Sequence, residues 1–277
     1  MVSGQPKQFA ASVMKDTIGT GDGSSVDISG MPISTLGFKE ILSDISAKIE
    51  SGSVGNYISI TNTESMYHAL RIPSHMDYIC GANHSLCDGI GVCIAAYAWG
   101  VNVPRRNGPI LMLRATEQGQ SKGWKHYYYG GKEGVADLLE KKMLEQFPDA
   151  KIVGKYCPPF RDLSEDERRF VINDIRESDA DIVWVGLGLL KQESWIAEHL
   201  SDAGVTWMVG VGAAFDYHAG TVSWAPAWIQ ALGMEWLYRL ILQPRLRGKR
   251  YYWSFHFMFQ SLFDGVCSQI GKRLNAR

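Results

Sequence analysis

The chain has 277 residues, of which 45% are hydrophobic and 21% are charged. This balance is typical of a folded protein and excludes a disordered or fibrous one. The 28 Lys and Arg residues are matched by 29 Asp and Glu residues, so the net charge of -1 excludes a bulk attraction to nucleic acid. The length fits one large α/β domain with appendages or two small domains.

No apolar stretch approaches the roughly 18 residues that span a bilayer, and the first residues lack the core of a signal peptide. We therefore expect a cytoplasmic protein. The five cysteines include no C-x-x-C pair, which favours reduced thiols over a disulfide framework or a zinc site. No metal site is predicted.

Strands and helices are predicted to alternate after a loose N-terminal extension over residues 1–24, which are rich in Gly, Ser and Thr. Apolar runs of strand length alternate with segments of helical period. The predicted strands are Tyr57–Ile60, His126–Tyr129, Ile152–Tyr156, Ile182–Gly186 and Trp207–Val211. The pattern predicts a Rossmann-like α/β domain over residues 25–233, with a mostly parallel sheet and helices on both faces.

Three helices are predicted with defined limits or faces. The first begins near Glu133, and its predicted buried face consists of Val135, Leu138, Leu139 and Met143. The second begins with the capping box of residues 164–167 and buries Phe170, Val171 and Ile175. The third runs from Pro226 to Pro244. The tryptophans Trp184, Trp195, Trp207 and Trp236 lie in apolar periodic stretches and are predicted to be core residues.

A basic and aromatic C-terminal appendage is predicted over residues 234–277. From Arg239 to Tyr252 the chain has five basic residues and no acidic one, and an aromatic run over residues 251–259 follows. Two interpretations stay open for this helical appendage. Its cations could contact lipid phosphates with its rings at the membrane interface, or it could be an ordinary helix that covers the core.

Polar and Gly-rich segments follow the apolar runs at five places. In an open parallel sheet, ligands bind beyond the carboxyl ends of the strands, where helix N-termini favour phosphate. The five segments are 61–64, 87–91, 130–134, 186–193 and 212–216. Together they predict a site for a phosphate-bearing ligand. Taken alone, Gly130 and Gly131 fit a tight turn as well as a phosphate contact, and Asp88 fits a helix cap as well as a catalytic carboxylate.

The order and sequences of these segments resemble the WecG/TagA/CpsF family of bacterial glycosyltransferases, from about Asp27 to Tyr251. The densest matching segments are 181–188, 191–196, 210–216, 219–222, 225–226, 232–240 and 243–245, and shorter ones are 87–91, 105–108 and 129–135. The chain departs from the family pattern at Ile60, where a threonine is usual, and at Leu190, where a proline is usual.

The resemblance implies transfer of a sugar, commonly N-acetylmannosamine, its uronic acid or glucose, from a UDP-sugar to a polyprenyl-diphosphate-linked saccharide. It implies inversion at the sugar, no required metal and no cofactor. It also implies an appendage that closes the site and meets the inner face of the cytoplasmic membrane, and it makes self-association an expectation. The departures suggest a branch that builds capsule or exopolysaccharide.

Residue roles carry over with the matching motifs. Asp88 would be the general base that takes the proton of the acceptor hydroxyl. The residues implied to position the acceptor or diphosphate are Thr61, Asn62 and Arg105. Those implied to contact the donor or its phosphates are Gly130, Gly131, Lys191, Gln192, Glu193 and Asp216. The candidates for the lipid diphosphate or the leaving UDP are Arg239, Arg245, Arg247 and Arg250, because guanidinium groups match phosphate oxygens.

Two classes of function stay open. The leading hypothesis is the enzyme, and the alternative is a non-catalytic nucleotide-sugar-binding subunit of a polysaccharide assembly complex, which Ile60 favours. A dinucleotide-dependent dehydrogenase is disfavoured because no G-x-G-x-x-G follows the first predicted strand.

Overall fold

The structure is a computed structural model that describes residues 24–275, without the side chains of Leu246, Lys272, Arg273 and Asn275. Of the N-terminal extension predicted over residues 1–24, residues 1–23 lie outside the described residues.

Six parallel strands form the central sheet, which confirms the predicted fold class. A short antiparallel hairpin of β1 (Ser25–Ile28) and β2 (Met31–Ser34) precedes it. The sheet strands are β3 (Asn56–Thr61), β4 (His84–Cys87), β5 (Lys125–Gly130), β6 (Lys151–Tyr156), β7 (Ile182–Gly186) and β8 (Trp207–Gly210). Their order across the sheet is β4-β3-β8-β7-β5-β6, and every neighbouring pair is parallel.

Helices follow most of the strands. Nine of them surround the sheet: α1 (Phe38–Glu50), α2 (Thr63–Ala69), α3 (Pro73–Cys80), α4 (Ile90–Ala98), α5 (Gly108–Lys122), α6 (Val135–Gln146), α7 (Glu165–Glu177), α8 (Lys191–His199) and α9 (Ala214–Ala219). Three more follow in the described part of the chain: α10 (Ala227–Ala231), α11 (Glu235–Leu242) and α12 (Pro244–Asn275). We call α11 and α12 the closing helices.

The helices cover both faces of the sheet because successive strand residues point to opposite sides. Tyr127 and Tyr129 pack in one core with α3, α4, α7 and α8. Tyr128, between them, packs in a second core with α1, α5, α6 and α9. Strands that are buried on both faces read as continuous apolar runs, and this is why β5, β7 and β8 could be predicted from the sequence.

The predicted helices are partly confirmed. Ser164 caps α7, and the capping box with Glu167 is present. Two side chains that were assigned to buried faces are exposed instead, with Leu138 44% and Phe170 61% accessible. Both lie beside residues that are buried on the same helix, so the buried face of each of these two helices is narrower than predicted.

The prediction of one helix from Pro226 to Pro244 was wrong. Two helices, α10 and α11, occupy this range, and Gly233 between them has a φ of +71°. A Cβ on Gly233 would lie 3.0 Å from the Ile90 side chain, so the break lets the chain approach α4 closely. Pro244 is the first residue of α12 and not a stop, because proline is readily accommodated in the first turn of a helix.

One face of α12 packs on the core, and the opposite face is exposed. Phe257, Ser261 and Gly265 face the core, where the Trp99 indole nitrogen donates to the Ser261 hydroxyl at 3.2 Å. The opposite face carries seven exposed apolar residues within about 100° of arc, over a length of about 33 Å. We call them the apolar stripe: Tyr252, Phe255, Phe259, Phe263, Val266, Ile270 and Leu274. None of the described helices combines the length and apolar character that crossing a membrane requires.

Candidate functional site

A cavity of about 980 Å³ lies at the carboxyl ends of the parallel strands. The segments after β3, β4, β5, β7 and β8 all contribute to its wall, so the structure brings the five predicted segments together. The closing helices complete the wall on the other side. The cavity is large enough to enclose a nucleotide sugar, since ligand pockets range from about 300 to 1,000 Å³.

Backbone atoms form part of the cavity floor where β5 and β7 end. Gly130 has a φ of +120°, and a Cβ on it would lie 2.6 Å from the carbonyl group of Gly186. The Gly131 N–H donates to the Gly186 carbonyl at 3.0 Å. Gly131 lines the cavity, whereas Gly130 does not. The glycine pair is therefore a tight turn that brings one backbone against another.

The segment after β7 places Gln192 on the cavity and Glu193 beneath it. The Gln192 Oε1 accepts a hydrogen bond from the Gly212 N–H at 3.0 Å, and its Nε2 donates to Glu193 at 3.0 Å. Glu193 is 4% exposed and is not part of the cavity wall. Burial raises its pKa to about 7. Glu193 therefore fixes the Gln192 amide from below, and Lys191 and Asp216 line the cavity beside it.

Asp88 lies on the cavity wall directly after β4. Gly89 occupies the N-cap position of α4, so Asp88 does not have the capping role that was its alternative interpretation. Burial raises the pKa of the Asp88 carboxyl, and the guanidinium groups of Arg239 and Arg105 oppose that shift. No hydrogen bond reaches this carboxylate from the described side chains. A basic carboxylate is thus available to an incoming hydroxyl.

At the end of β3, Asn62 lines the cavity and Thr61, the last residue of the strand, does not. The Thr61 side chain is fully buried and shares a hydrogen bond of 2.9 Å with Ser59, so it lies away from the position that its implied role requires. Asn62 also caps α2 by accepting from the Ser65 N–H at 3.0 Å. Ile60 and Thr63 contribute the neighbouring wall.

Two of the predicted anion-binding arginines are held in ion pairs between the core and the closing helices. Arg105 donates to the Gln230 carbonyl at 2.8 Å and to Glu235 at 3.2 Å. Arg250 makes two contacts of 2.6 Å with the Glu64 carboxylate. Neither glutamate was predicted as a site residue, because each gains its partner only through contacts between segments far apart in sequence.

Two other arginines, Arg239 and Arg247, line the cavity. Arg239 lies with its guanidinium 4.8 Å from the Tyr217 ring and 3.7 Å from the Glu235 carboxylate. Burial lowers its pKa to about 10, so it stays protonated at neutral pH. The Arg247 Nε is buried, and no described group accepts a hydrogen bond from it. Arg245, by contrast, is exposed and lies outside the cavity wall.

Two tryptophans that were predicted as core residues are half-buried and line the cavity, and one of them, Trp195, also packs against the core. Trp195 stacks on Tyr129 at 4.1 Å between ring centroids, and Trp236 belongs to α11. Trp184 and Trp207 are fully buried, as predicted. The apolar periodicity around Trp195 could not distinguish a core position from a cavity wall, because both exclude bulk water.

Within residues 24–275 no three or more His, Cys, Asp or Glu side chains come together as a group that could hold an ion. The thiols of Cys87 and Cys93 lie 3.3 Å apart beside Asp88. The five cysteines are free, as expected.

Comparison with known proteins identifies the family. The profile of the Glycosyl transferase WecG/TagA/CpsF family matches residues 26–269. The chain belongs to this family. An N-acetylglucosaminyldiphosphoundecaprenol N-acetyl-beta-D-mannosaminyltransferase of Bacillus subtilis (strain 168) is 30% identical over 194 residues, which are 69% of this chain and 73% of the relative.

A protein of the same name from Staphylococcus aureus (strain NCTC 8325) is 25% identical over 228 residues, which are 82% of this chain and 88% of the relative. The family match and these relatives identify the chain as a glycosyltransferase. The resemblance found in the sequence is therefore confirmed.

Proposed function

We propose that the protein transfers a sugar from a UDP-sugar to a polyprenyl-diphosphate-linked saccharide, with inversion at the anomeric carbon. The donor sugar is of the N-acetylmannosamine, N-acetylmannosaminuronic acid or glucose type, and the product serves a bacterial surface polysaccharide such as a capsule, an exopolysaccharide or a teichoic acid linkage unit. The observation that carries the proposal is the position of Asp88 beside Arg239 in a cavity built from five strand-end segments.

Asp88 acts as the general base in this proposal. The acceptor oxygen forms a bond to the anomeric carbon while the bond from that carbon to the UDP oxygen breaks, and the acceptor proton moves to the Asp88 carboxylate. A single displacement inverts the anomeric centre and needs one base. The raised pKa of Asp88 supports this role, because a more basic carboxylate accepts a proton more readily.

Arginines replace a metal ion in the proposal. The electron pair of the broken bond leaves with UDP, so negative charge grows on the diphosphate. Arg239 and Arg247 place two positive charges on the cavity wall, which supports a reaction that needs no metal. A transfer assay with and without EDTA tests this point, and loss of activity that Mg²⁺ or Mn²⁺ restores would contradict it.

The function itself is tested by two measurements on the whole chain. A thermal-shift screen of UDP-sugars identifies the donor, because a ligand that binds the folded protein raises its melting temperature. Mass spectrometry then detects the sugar on an N-acetylglucosaminyl-diphosphate-lipid acceptor. Donor binding without transfer to any acceptor would instead support the alternative of a non-catalytic nucleotide-sugar-binding subunit, which Ile60 on the cavity wall favours.

We propose that the protein acts at the inner face of the cytoplasmic membrane and contacts it through the apolar stripe. The exposed stripe supports this, as does the exposed cation of Arg245 at the N-terminal end of α12. Half of the rings expected at the interface face the protein instead. Phe257 is fully buried, Tyr251 lines the cavity and Trp253 stacks on Tyr67 at 6.0 Å.

Liposome co-sedimentation tests this contact. We expect Phe259→Ser and Phe263→Ser together to reduce binding to anionic vesicles several-fold, because each removes an exposed apolar side chain. Phe160→Ser is the control, since Phe160 is 91% exposed but lies outside the stripe. An equal loss in the control would contradict the proposal. Self-association stays a prediction that analytical ultracentrifugation can test.

A further inference from the structure

One arm of the cavity has an apolar wall that the sugar chemistry does not use. Ile90 and Ile94, one turn apart on α4, and Phe255 and Met258 on α12 all line the cavity, and these two helices pack against each other. Ile94 is 41% exposed and Phe255 is 38% exposed, so neither is a core residue. Ile90 follows Asp88 by two positions, which places the arm next to the proposed base.

The arm begins beside the cationic part of the cavity. Arg247, Arg250, Ser254 and Met258 follow one another at helical spacing on the same side of α12, and all four line the cavity. The surface therefore changes from guanidinium groups to apolar side chains within about 16 Å along α12. A ligand that fits this surface has a diphosphate at one end and an apolar chain attached directly to it.

The arm also continues to the outer surface. A shallow groove on α12 is lined by Tyr252, Phe255, His256, Phe259 and Gln260. Phe255 belongs both to this groove and to the arm, and it is a member of the apolar stripe. Farther along, α4 and α12 pack tightly, because a Cβ on Gly265 would lie 2.9 Å from the backbone of Ala98. Phe255 therefore connects the arm with the apolar stripe.

We propose that this arm binds the first isoprene units of the acceptor lipid, and that the rest of the lipid leaves past Phe255 toward the apolar stripe. The proposal rests on the proposed function and adds a binding site for the lipid tail to it. Tail binding places the diphosphate beside Arg247 and thereby brings the acceptor hydroxyl to Asp88. The tail is then a positioning element and not only a membrane anchor.

Direct binding tests the arm without any transfer reaction. Isothermal titration compares methyl diphosphate with farnesyl diphosphate, which carries three isoprene units, in the absence of membranes. We expect the farnesyl compound to bind at least about tenfold more tightly, because several buried carbon groups are added. Equal affinities for the wild-type protein would overturn the proposal, whatever the protein transfers.

Variants locate the tail in the arm. We expect Ile94→Ser and Met258→Ser each to reduce the preference for the farnesyl compound several-fold. Tyr97→Ser is the matched control, because Tyr97 is exposed on the same helix as Ile94 but does not line the cavity. The preference of this control variant for the farnesyl compound should equal that of the wild type. Thermal melts check that each variant is folded, and Ile94→Thr is a milder second variant. A preference that survives both arm substitutions would overturn the proposal.

Two further outcomes separate this inference from its alternatives. If monomeric dodecylphosphocholine displaces the farnesyl compound as well as an unlabelled prenyl diphosphate does, the arm accepts membrane lipid in general and the proposal fails. If the farnesyl preference and its loss in the arm variants are observed but no sugar is transferred, the proposed function fails while the lipid site stands.

Discussion

The two sides of the cavity are held together by different forces. On the strand side, backbone contacts and a neutral amide fix the wall, as in the hydrogen bonds of Gly131 to Gly186 and of Gly212 to Gln192. On the helical side, ion pairs fix the wall, as between Glu64 and Arg250. Hydrogen bonds between neutral groups depend little on ionic strength, whereas ion pairs weaken with salt. The strand side is therefore the rigid half, and the helical side is the half that solution conditions can loosen.

The largest effect is expected at Asp88, which lies between the two halves. Asp88→Asn should lower the transfer rate by roughly 10²- to 10⁴-fold, because the amide cannot accept the proton. Donor binding by thermal shift should stay close to that of the wild type. Asp216→Asn, on the same cavity wall, is the comparison variant and should raise the donor KM more than it lowers kcat. Normal turnover by Asp88→Asn would remove Asp88 from the reaction.

On the strand side, Glu193→Gln tests whether the neutral form of the Glu193 carboxyl stabilises the cavity wall. The folded-state pKa of about 7 exceeds the ordinary value of 4.5, so Glu193 favours folding below about pH 4.5 and this contribution is lost as the pH rises through 7. The loss amounts to at most about 3 kcal/mol. The glutamine keeps the hydrogen bond to Gln192 and does not ionise. Its melting temperature should therefore exceed that of the wild type by several degrees at pH 8 and by much less at pH 5.

Two substitutions of Glu193 separate its effect on the position of Gln192 from its effect on folding. Glu193→Leu cannot accept from Gln192, so it should raise the donor KM, and Glu193→Gln should restore it. Tyr78 and Glu64 are the titratable groups that interact with Glu193, and neither is changed. An equal pH dependence of melting in the wild type and in Glu193→Gln would contradict the assignment.

On the helical side, Arg247→Met tests the anion-binding role. It removes a charged donor, which contributes about 1.5–3 kcal/mol to a hydrogen bond with an anion, so the KM for the substrate whose diphosphate it binds should rise about ten- to a hundredfold. Arg245→Met is the matched control, because Arg245 is exposed outside the cavity. Comparison of donor and acceptor KM values identifies the diphosphate involved. Equal effects of the two substitutions would contradict the role of Arg247.

The smallest effect is expected for the ion pair of Glu64 and Arg250. A double-mutant cycle with Glu64→Gln and Arg250→Met should give a coupling of about 0.5–3 kcal/mol in unfolding free energy, and added salt should reduce it. The exposed pair of Asp166 and Arg169 on α7 is the control, with an expected coupling below about 0.5 kcal/mol. If the two couplings are equal, the closing helices are held by packing and not by charge.

The sequence predicted the strand side far better than the helical side. Parallel strands that are buried on both faces show apolar runs, and their carboxyl ends must meet at one edge, so the five segments could be placed together from the sequence alone. The sequence predicted an element that ends at Leu86 but not the bounds of β4, because its four residues begin with the polar His84 and Ser85. The hairpin of β1 and β2 was missed because each strand has only four residues.

Side-chain partners on the helical side could not be predicted, because they depend on how α12 docks. Arg250 contacts Glu64 across a sequence separation of 186 residues, and no local pattern in either segment indicates the other. The direction in which a side chain points could not be predicted either. Thr61 and Asn62 are neighbours, yet one is buried beneath the sheet edge and the other lines the cavity.

The glycine contact between β5 and β7 has a consequence for how such a protein can diversify. Because a Cβ on Gly130 would overlap the backbone of Gly186, no other residue fits there without displacing a strand. Single substitutions at this position therefore cannot reshape the floor of the cavity in small steps. Positions such as Lys132, whose exposed side chain lines the same cavity, can change without displacing a strand.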